Sequence, residues 1–300
     1  MTGQLEAKPT PAAYPHTRYF EIDSVEAGAR YAVWVTVPRT YDKQPERDFP
    51  AIYMPDGNSS VGIAATLPDL SEWDVMDPFE PTIQICIGYT GDEIDLALAV
   101  RARDLRPPNE YFAPVTEDHL KLSVDRGILD QAGADLYLDY LRNPAADRFL
   151  AFLTKELHPL LAAQFRIRPC DLGLFGHSYG GLFATYAALQ PLTIFSRFGA
   201  SSPGITPGRS VIFDLYLDAV ASGDFAERYL RMTIATREIT LPGTYQEAVA
   251  GGSVEFMRLA GTTPLKGLNL SNHFIDHETH MTVKPSALHD FLRTFYLRPG

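Results

Sequence analysis

The chain has 300 residues, 45% of them hydrophobic and 21% charged, with a formal net charge of −11. An acid excess of that size excludes a nucleic-acid binder, which needs clustered lysine and arginine to meet phosphates, and points to small molecules as partners. No apolar run approaches the roughly eighteen residues of a membrane helix, so no integral membrane segment is expected.

Residues 1–17 carry Pro9, Pro11 and Pro15 with few large apolar groups, and read as a flexible N-terminal arm. The first residues lack a basic stretch followed by an apolar one, so no secretory leader is expected. The only cysteines, Cys86 and Cys170, stand in or beside strand-like runs. They read as small buried hydrophobes, which suits a cytoplasmic protein. Residues 18–23 and 30–37 flank Glu26-Ala27-Gly28-Ala29 and predict an antiparallel hairpin.

Apolar runs at residues 48–55 and 82–89 predict buried strands, each ending in a glycine-bearing loop. Residues 104–142 are polar and contain proline; standing before a regular helix, they predict an excursion over the sheet's carboxyl edge that shapes a pocket. From 146 to 165, Phe149, Leu150, Leu153, Leu157, Leu160 and Leu161 fall on one stripe at helical spacing. Short strands are expected at 171–175, 195–200, 232–236 and 268–274. Helices are expected at 182–189 and from Pro285 onward, the last carrying Leu288, Phe291, Leu292 and Phe295. Strands alternating with helices predict an α/β fold, with a mostly parallel central sheet covered by helices on both faces, as a single domain over 18–300.

Gly176-His177-Ser178-Tyr179-Gly180-Gly181 lies between a predicted strand and a predicted helix. A serine hydroxyl is a weak nucleophile at neutral pH and needs exposure, a neighbouring base and amide donors for the oxyanion. A sharp strand-to-helix turn with glycines at its close approaches exposes the hydroxyl and aims the helix N-terminus at developing negative charge. Ser178 is therefore the candidate nucleophile. Of the downstream histidines His273, His277, His280 and His289, His280 is the preferred base, because it lies in the connection between the last strand and the last helix. His277 is the runner-up, His273 is expected on the strand, and His289 inside the helix. Glu238, just past the predicted strand at 232–236, is the preferred acid, with Glu247 and Asp276 as alternatives. Pro55-Asp56-Gly57-Asn58-Ser59-Ser60, after an early buried strand, is suited to supply the Asn58 amide to an oxyanion hole beside that of Tyr179.

These motifs give the chain a family likeness. Ile52-Tyr53-Met54-Pro55-Asp56-Gly57-Asn58, Ile87-Gly88-Tyr89, Arg101-Ala102-Arg103-Asp104-Leu105-Arg106-Pro107-Pro108, Phe175 through Leu182, and His280-Met281-Thr282-Val283-Lys284-Pro285 run in one order over nearly the whole chain. In these it resembles the esterase D-like branch of the α/β-hydrolases, which includes siderophore, feruloyl and acetylxylan esterases and mycolyltransferases. The resemblance implies an α/β-hydrolase fold and a metal-independent serine esterase acting on a small organic ester, with no cofactor. Ser178, His280 and Glu238 would form the triad, and Tyr179 and Asn58 the oxyanion hole. Arg101, Arg103 and Arg106, a basic cluster in an acidic protein, are candidate substrate contacts together with His177. Pro55 stands where the family usually has Leu, and the segment after Ser201-Ser202-Pro203 lacks the family's common aromatic residues. Three rival readings remain: an acyltransferase using the same acyl-enzyme, a metalloenzyme built on His273, His277 and His280 with Glu278 or Asp276, and a catalytically silent binding protein.

Overall fold

The structure, a computed structural model, describes residues 14–297 apart from 114, 224 and 244. The arm expected at 1–17 lies outside the described residues up to position 13, and Thr17 already begins a strand. Eight strands form one sheet in the order β1-β2-β4-β3-β5-β6-β7-β8. They are β1 (Thr17–Ser24), β2 (Ala29–Thr36), β3 (Phe49–Met54), β4 (Ile83–Tyr89), β5 (Ile167–His177), β6 (Arg197–Ser201), β7 (Arg228–Ala235) and β8 (Leu268–Ile275). The first two make the expected antiparallel hairpin, β2 also pairs antiparallel with β4, and the pairs from β4 through β8 are parallel.

Helices α1 (Gly57–Ser71), α2 (Ala97–Leu105), α3 (Val115–Asp125), α4 (Gln131–Arg142), α5 (Ala146–Ala151), α6 (His158–Ala162), α7 (Tyr179–Leu189), α8 (Val211–Ser222), α9 (Thr236–Thr240), α10 (Gly252–Thr262) and α11 (Val283–Tyr296) fill the connections. The predicted helix at 146–165 is α5 and α6 joined by a wide π-type segment, Phe152–Leu157. Its stripe is buried except for Leu160, which is 48% exposed because it points away from the sheet. The last helix starts two residues before the expected Pro285; a proline is accommodated there because first-turn amides have no acceptor within the helix.

Two apolar clusters flank the sheet. Ile52, Met54, Cys86 and Phe175 pack with Val283, Ala287, Leu288 and Phe291 of α11 and Ala64 of α1 on one face. Alternate residues of the same strands, Tyr53, Ile85, Ile87 and Leu174, pack on the other with Phe149, Phe152, Leu182 and Phe183. This is the period-two logic of a sheet covered on both sides. Cys86 is buried as expected, but Cys170 is exposed, since it stands near the start of β5 where the strand leaves the core. Residues 104–142, unassigned by pattern, hold α3 and α4. Asp130 caps α4 by accepting from the Gly133 amide, and Leu120, Tyr137 and Leu141 close a small separate core with Ala99 and Ala102 of α2.

Candidate active site

β3 pairs directly with β5, so the loop after Met54 and the turn after His177 meet at the carboxyl edge of the sheet. The turns after β7 and β8 open at the same edge, two and three strands away from β5. Such an edge collects ligand sites in open parallel sheets.

Ser178 sits between β5 and α7 with φ 59° and ψ −117°, a backbone conformation that a side chain rarely adopts. The turn is possible because of two glycines. A Cβ on Gly176 would lie 2.1 Å from the Gly180 carbonyl oxygen, and one on Gly181 2.7 Å from that of Ser201. Gly180, expected to be the second essential glycine, has only ordinary contacts at 3.4 Å. The Ser178 amide donates to the Ser201 carbonyl, which fastens the turn to the end of β6.

Ser178 Oγ lies 3.0 Å from Nε2 of His280, and the Nδ1 of that imidazole lies 2.5 Å from Oε1 of Glu238. Both partners are buried, His280 at 5% exposure and Glu238 at 2%. A carboxylate beside Nδ1 selects the tautomer whose Nε2 can accept the serine proton. Glu238 lies in the short helix α9, and its other oxygen accepts from Ser202 Oγ at 2.8 Å and the Ala235 amide at 3.0 Å. The Tyr245 ring stacks on His280, with centroids 4.1 Å apart. Neither Ser202 nor Tyr245 was among the sequence candidates. Ser202 carried a signal in standing beside the β6 terminus, whereas Tyr245, in a stretch without periodicity, carried none.

The other candidate acids and bases are elsewhere. His273, on β8, bonds to Asp290, and His289, on α11, packs on Phe79. His277 is exposed in the turn after β8, and Glu247 and Asp276 are exposed as well. The donor set of the metalloenzyme reading is thus dispersed, and among the described residues no group of three His, Cys, Asp or Glu is disposed to hold a metal ion.

Asn58 is the second residue of α1, so its amide has no acceptor one turn back within the helix; Tyr179 is the first residue of α7 and has the same freedom. The Asn58 side chain is tied to β4, donating to the Tyr89 carbonyl at 3.0 Å and accepting from its amide at 2.8 Å. Gly57 and Gly88 are needed for this approach, because a Cβ on either would fall within 3 Å of backbone atoms across the gap.

Folding draws each arginine of the cluster into internal pairs. Arg101 forms a two-pronged pair with Asp56, Arg103 pairs with Asp104 and Glu93, and buried Arg106 donates to the carbonyls of Leu141, Glu110 and Tyr111. Their guanidinium groups thus all have partners within the protein. His177 is also turned inward: its Nδ1 meets Ser201 Oγ at 3.0 Å and its ring lies 4.8 Å from that of His280. Burial, the neighbouring His280 and the Lys284 and Arg101 cations hold its pKa down to about 3, so it is neutral.

Comparison with known proteins agrees with this architecture. The family described as Putative esterase matches residues 123–239. The chain is 27% identical over 217 residues to a siderophore enterobactin esterase of Emericella nidulans, covering 69% of this chain and 65% of that protein. It is 29% identical over 201 residues to a siderophore triacetylfusarinine C esterase of Aspergillus fumigatus, covering 66% and 59% respectively. The chain therefore spans less than two thirds of the length of these curated relatives. Among solved structures, a siderophore hydrolase of Aspergillus nidulans superposes with a TM-score of 0.73 at 22% identity, over 98% of each chain. An IroE-like serine hydrolase of Shewanella oneidensis gives 0.71 at 23%, over 93% of this chain and 80% of the other. The chain has the α/β-hydrolase fold. The curated proteins it resembles in sequence include siderophore esterases.

Proposed function

We propose that the protein is a serine esterase that hydrolyses a carboxylic ester of a small organic molecule through Ser178, His280 and Glu238. The observation that carries this reading is the continuous hydrogen-bonded series from Ser178 Oγ through His280 to Glu238 at the carboxyl edge of the sheet. His280 takes the Ser178 proton as Oγ attacks the ester carbonyl. The oxyanion is met by the amides of Tyr179 and Asn58, and Glu238 balances the charge on the imidazolium. His280 then delivers its proton to the departing alcohol. A water, deprotonated by the same nitrogen, releases the acid and restores Ser178. Every proton moves through His280, so the scheme is closed without a metal or cofactor.

Helix α4 borders the site: its Tyr137 hydroxyl donates to that of Tyr179, 3.3 Å away, beside Ser178. The relatives named for siderophore esters make that class the first to test. A cytoplasmic setting remains our reading from the sequence; among the described residues no helix is long and apolar enough to cross a membrane. The experiment is a panel of aryl esters, feruloyl esters and siderophore-type lactones assayed with the wild type and Ser178→Ala. Turnover by the wild type, lost in the variant, is the expected result, and equal turnover by both would refute the assignment.

A further inference from the structure

The β3–α1 loop carries a non-glycine residue, Asp56, in the left-handed region at φ 57° and ψ 40°. That conformation costs on the order of 1 kcal/mol and persists only where the surroundings impose it. Here they do so through a charge pair. Arg101, on α2, donates from Nε and Nη2 to the two Asp56 oxygens, both at 2.8 Å, and Nη2 also reaches the His177 carbonyl at 3.4 Å. The guanidinium thus touches the residue two before Asn58 and the residue two before Tyr179. Its carbon lies 5.0 Å from the centre of the Tyr179 ring.

The pair is sheltered, with side-chain exposures of 17% for Arg101 and 12% for Asp56. Burial pushes the Asp56 carboxyl upward, but the Arg101 cation outweighs it and leaves the pKa below the ordinary value, so the pair is ionised. The rest of the loop is held independently. Asn58 is fixed to the Tyr89 backbone, and Lys284 of α11 donates to Ser59 Oγ at 3.0 Å. Among the described residues no other side chain hydrogen-bonds to both the loop after β3 and the elbow after β5.

We infer that Arg101 is a positioning residue of the oxyanion hole: through Asp56 and the His177 carbonyl it sets the separation of the Asn58 and Tyr179 amides. This rests on the esterase reading of Ser178. A planar fork with two fixed N–H directions can hold such a separation, whereas a lysine ammonium at the same place supplies charge without it. Displacing one preorganised donor weakens transition-state binding and leaves ground-state binding nearly unchanged.

The test follows phosphonylation of Ser178 by a fluorophosphonate probe, which needs the nucleophile and the oxyanion hole but no particular substrate, together with kcat and KM on an activated aryl ester. Arg101→Ala should label about 30-fold more slowly and lose a similar factor in kcat with KM within about twofold, and added guanidinium should restore part of it. Arg101→Lys, which keeps the charge and guards against misfolding of the alanine variant, should lose about tenfold at an unchanged melting temperature. Wild-type labelling with undiminished labelling of both variants would overturn the clamp and leave the esterase reading standing. A loss confined to KM would make Arg101 a substrate contact instead. If wild-type Ser178 is not labelled at all, the esterase reading falls and the clamp with it.

Discussion

Ser178 is held in an unfavourable backbone conformation, and the local sequence supplies the means: Gly176 and Gly181 remove the two Cβ atoms that would strike backbone oxygens. Ser178→Ala should reduce kcat by at least about a thousandfold in a steady-state ester assay, while circular dichroism stays that of the wild type. The carboxylate facing His280 is more elaborately held than the sequence suggested. Glu238 accepts from Ser202 and from the Ala235 amide as well as facing His280, so its second oxygen is immobilised. Ser202→Ala should lower kcat about tenfold with little change in KM, the equivalent of one hydrogen bond to a charged group. An unchanged kcat would show that the Ala235 amide alone suffices. The sequence made the association of Ser178, His280 and Glu238 readable because chain order and element boundaries constrain each of them. Ser202 and Tyr245 were unreadable because their roles depend on contacts between segments distant in the chain.

At the scale of elements, the elbow between β5 and α7 is the most exacting junction. Gly176→Ala would drive a methyl group to 2.1 Å from the Gly180 oxygen on the helix backbone, which no rotamer change relieves. A loss of stability of at least about 4 kcal/mol is expected, read as a fall in the urea midpoint or as failure to accumulate folded protein. Gly180→Ala, with 3.4 Å of room, should cost about 1 kcal/mol or less. The strands were legible because fully buried runs such as Ile83–Tyr89 carry no polar interruption. Helix α1 was not, because it starts at Gly57, contains Pro68 and buries small residues such as Ala64 and Ala65 that leave no strong periodic stripe. The paired layer of α3 and α4 was hidden for a related reason: its buried apolar residues Leu120, Tyr137 and Leu141 pack in a small cluster with α2.

For the whole molecule, two buried groups outside the proposed triad set opposing pH limits. Glu110 joins the loop after α2 to the start of α8 by accepting from Ser210 Oγ and the Val211 amide, and burial raises its pKa to about 7. In the folded state it holds its proton more tightly than in the unfolded chain, so stability is lost as pH rises from its ordinary value through about 7. Glu110→Gln should remove this loss, worth on the order of 3 kcal/mol, and raise the melting temperature at pH 8 relative to the wild type. His177 acts in the opposite direction. Its folded pKa is depressed to about 3, so the unfolded chain binds the proton first and stability falls as pH drops below the ordinary histidine value. His177→Gln should extend the acid limit of a melting-temperature profile taken between about pH 3 and 7, and an unmoved limit would place acid unfolding in other groups.

The sequence by itself determined the alternation of strands and helices, the elbow around Ser178 and the order in which Glu238 and His280 follow it. These are properties of neighbours in the chain, where hydrophobic period and turn chemistry act locally. The tertiary structure decided how the arginines are used. Arg101, Arg103 and Arg106 form one basic cluster in the chain, yet folding gives each its own internal partners, because a guanidinium leaving water must satisfy its donors with whatever the packing brings near. Only the pairing of β3 with β5 could bring Asp56 and the His177 carbonyl within reach of Arg101 at once.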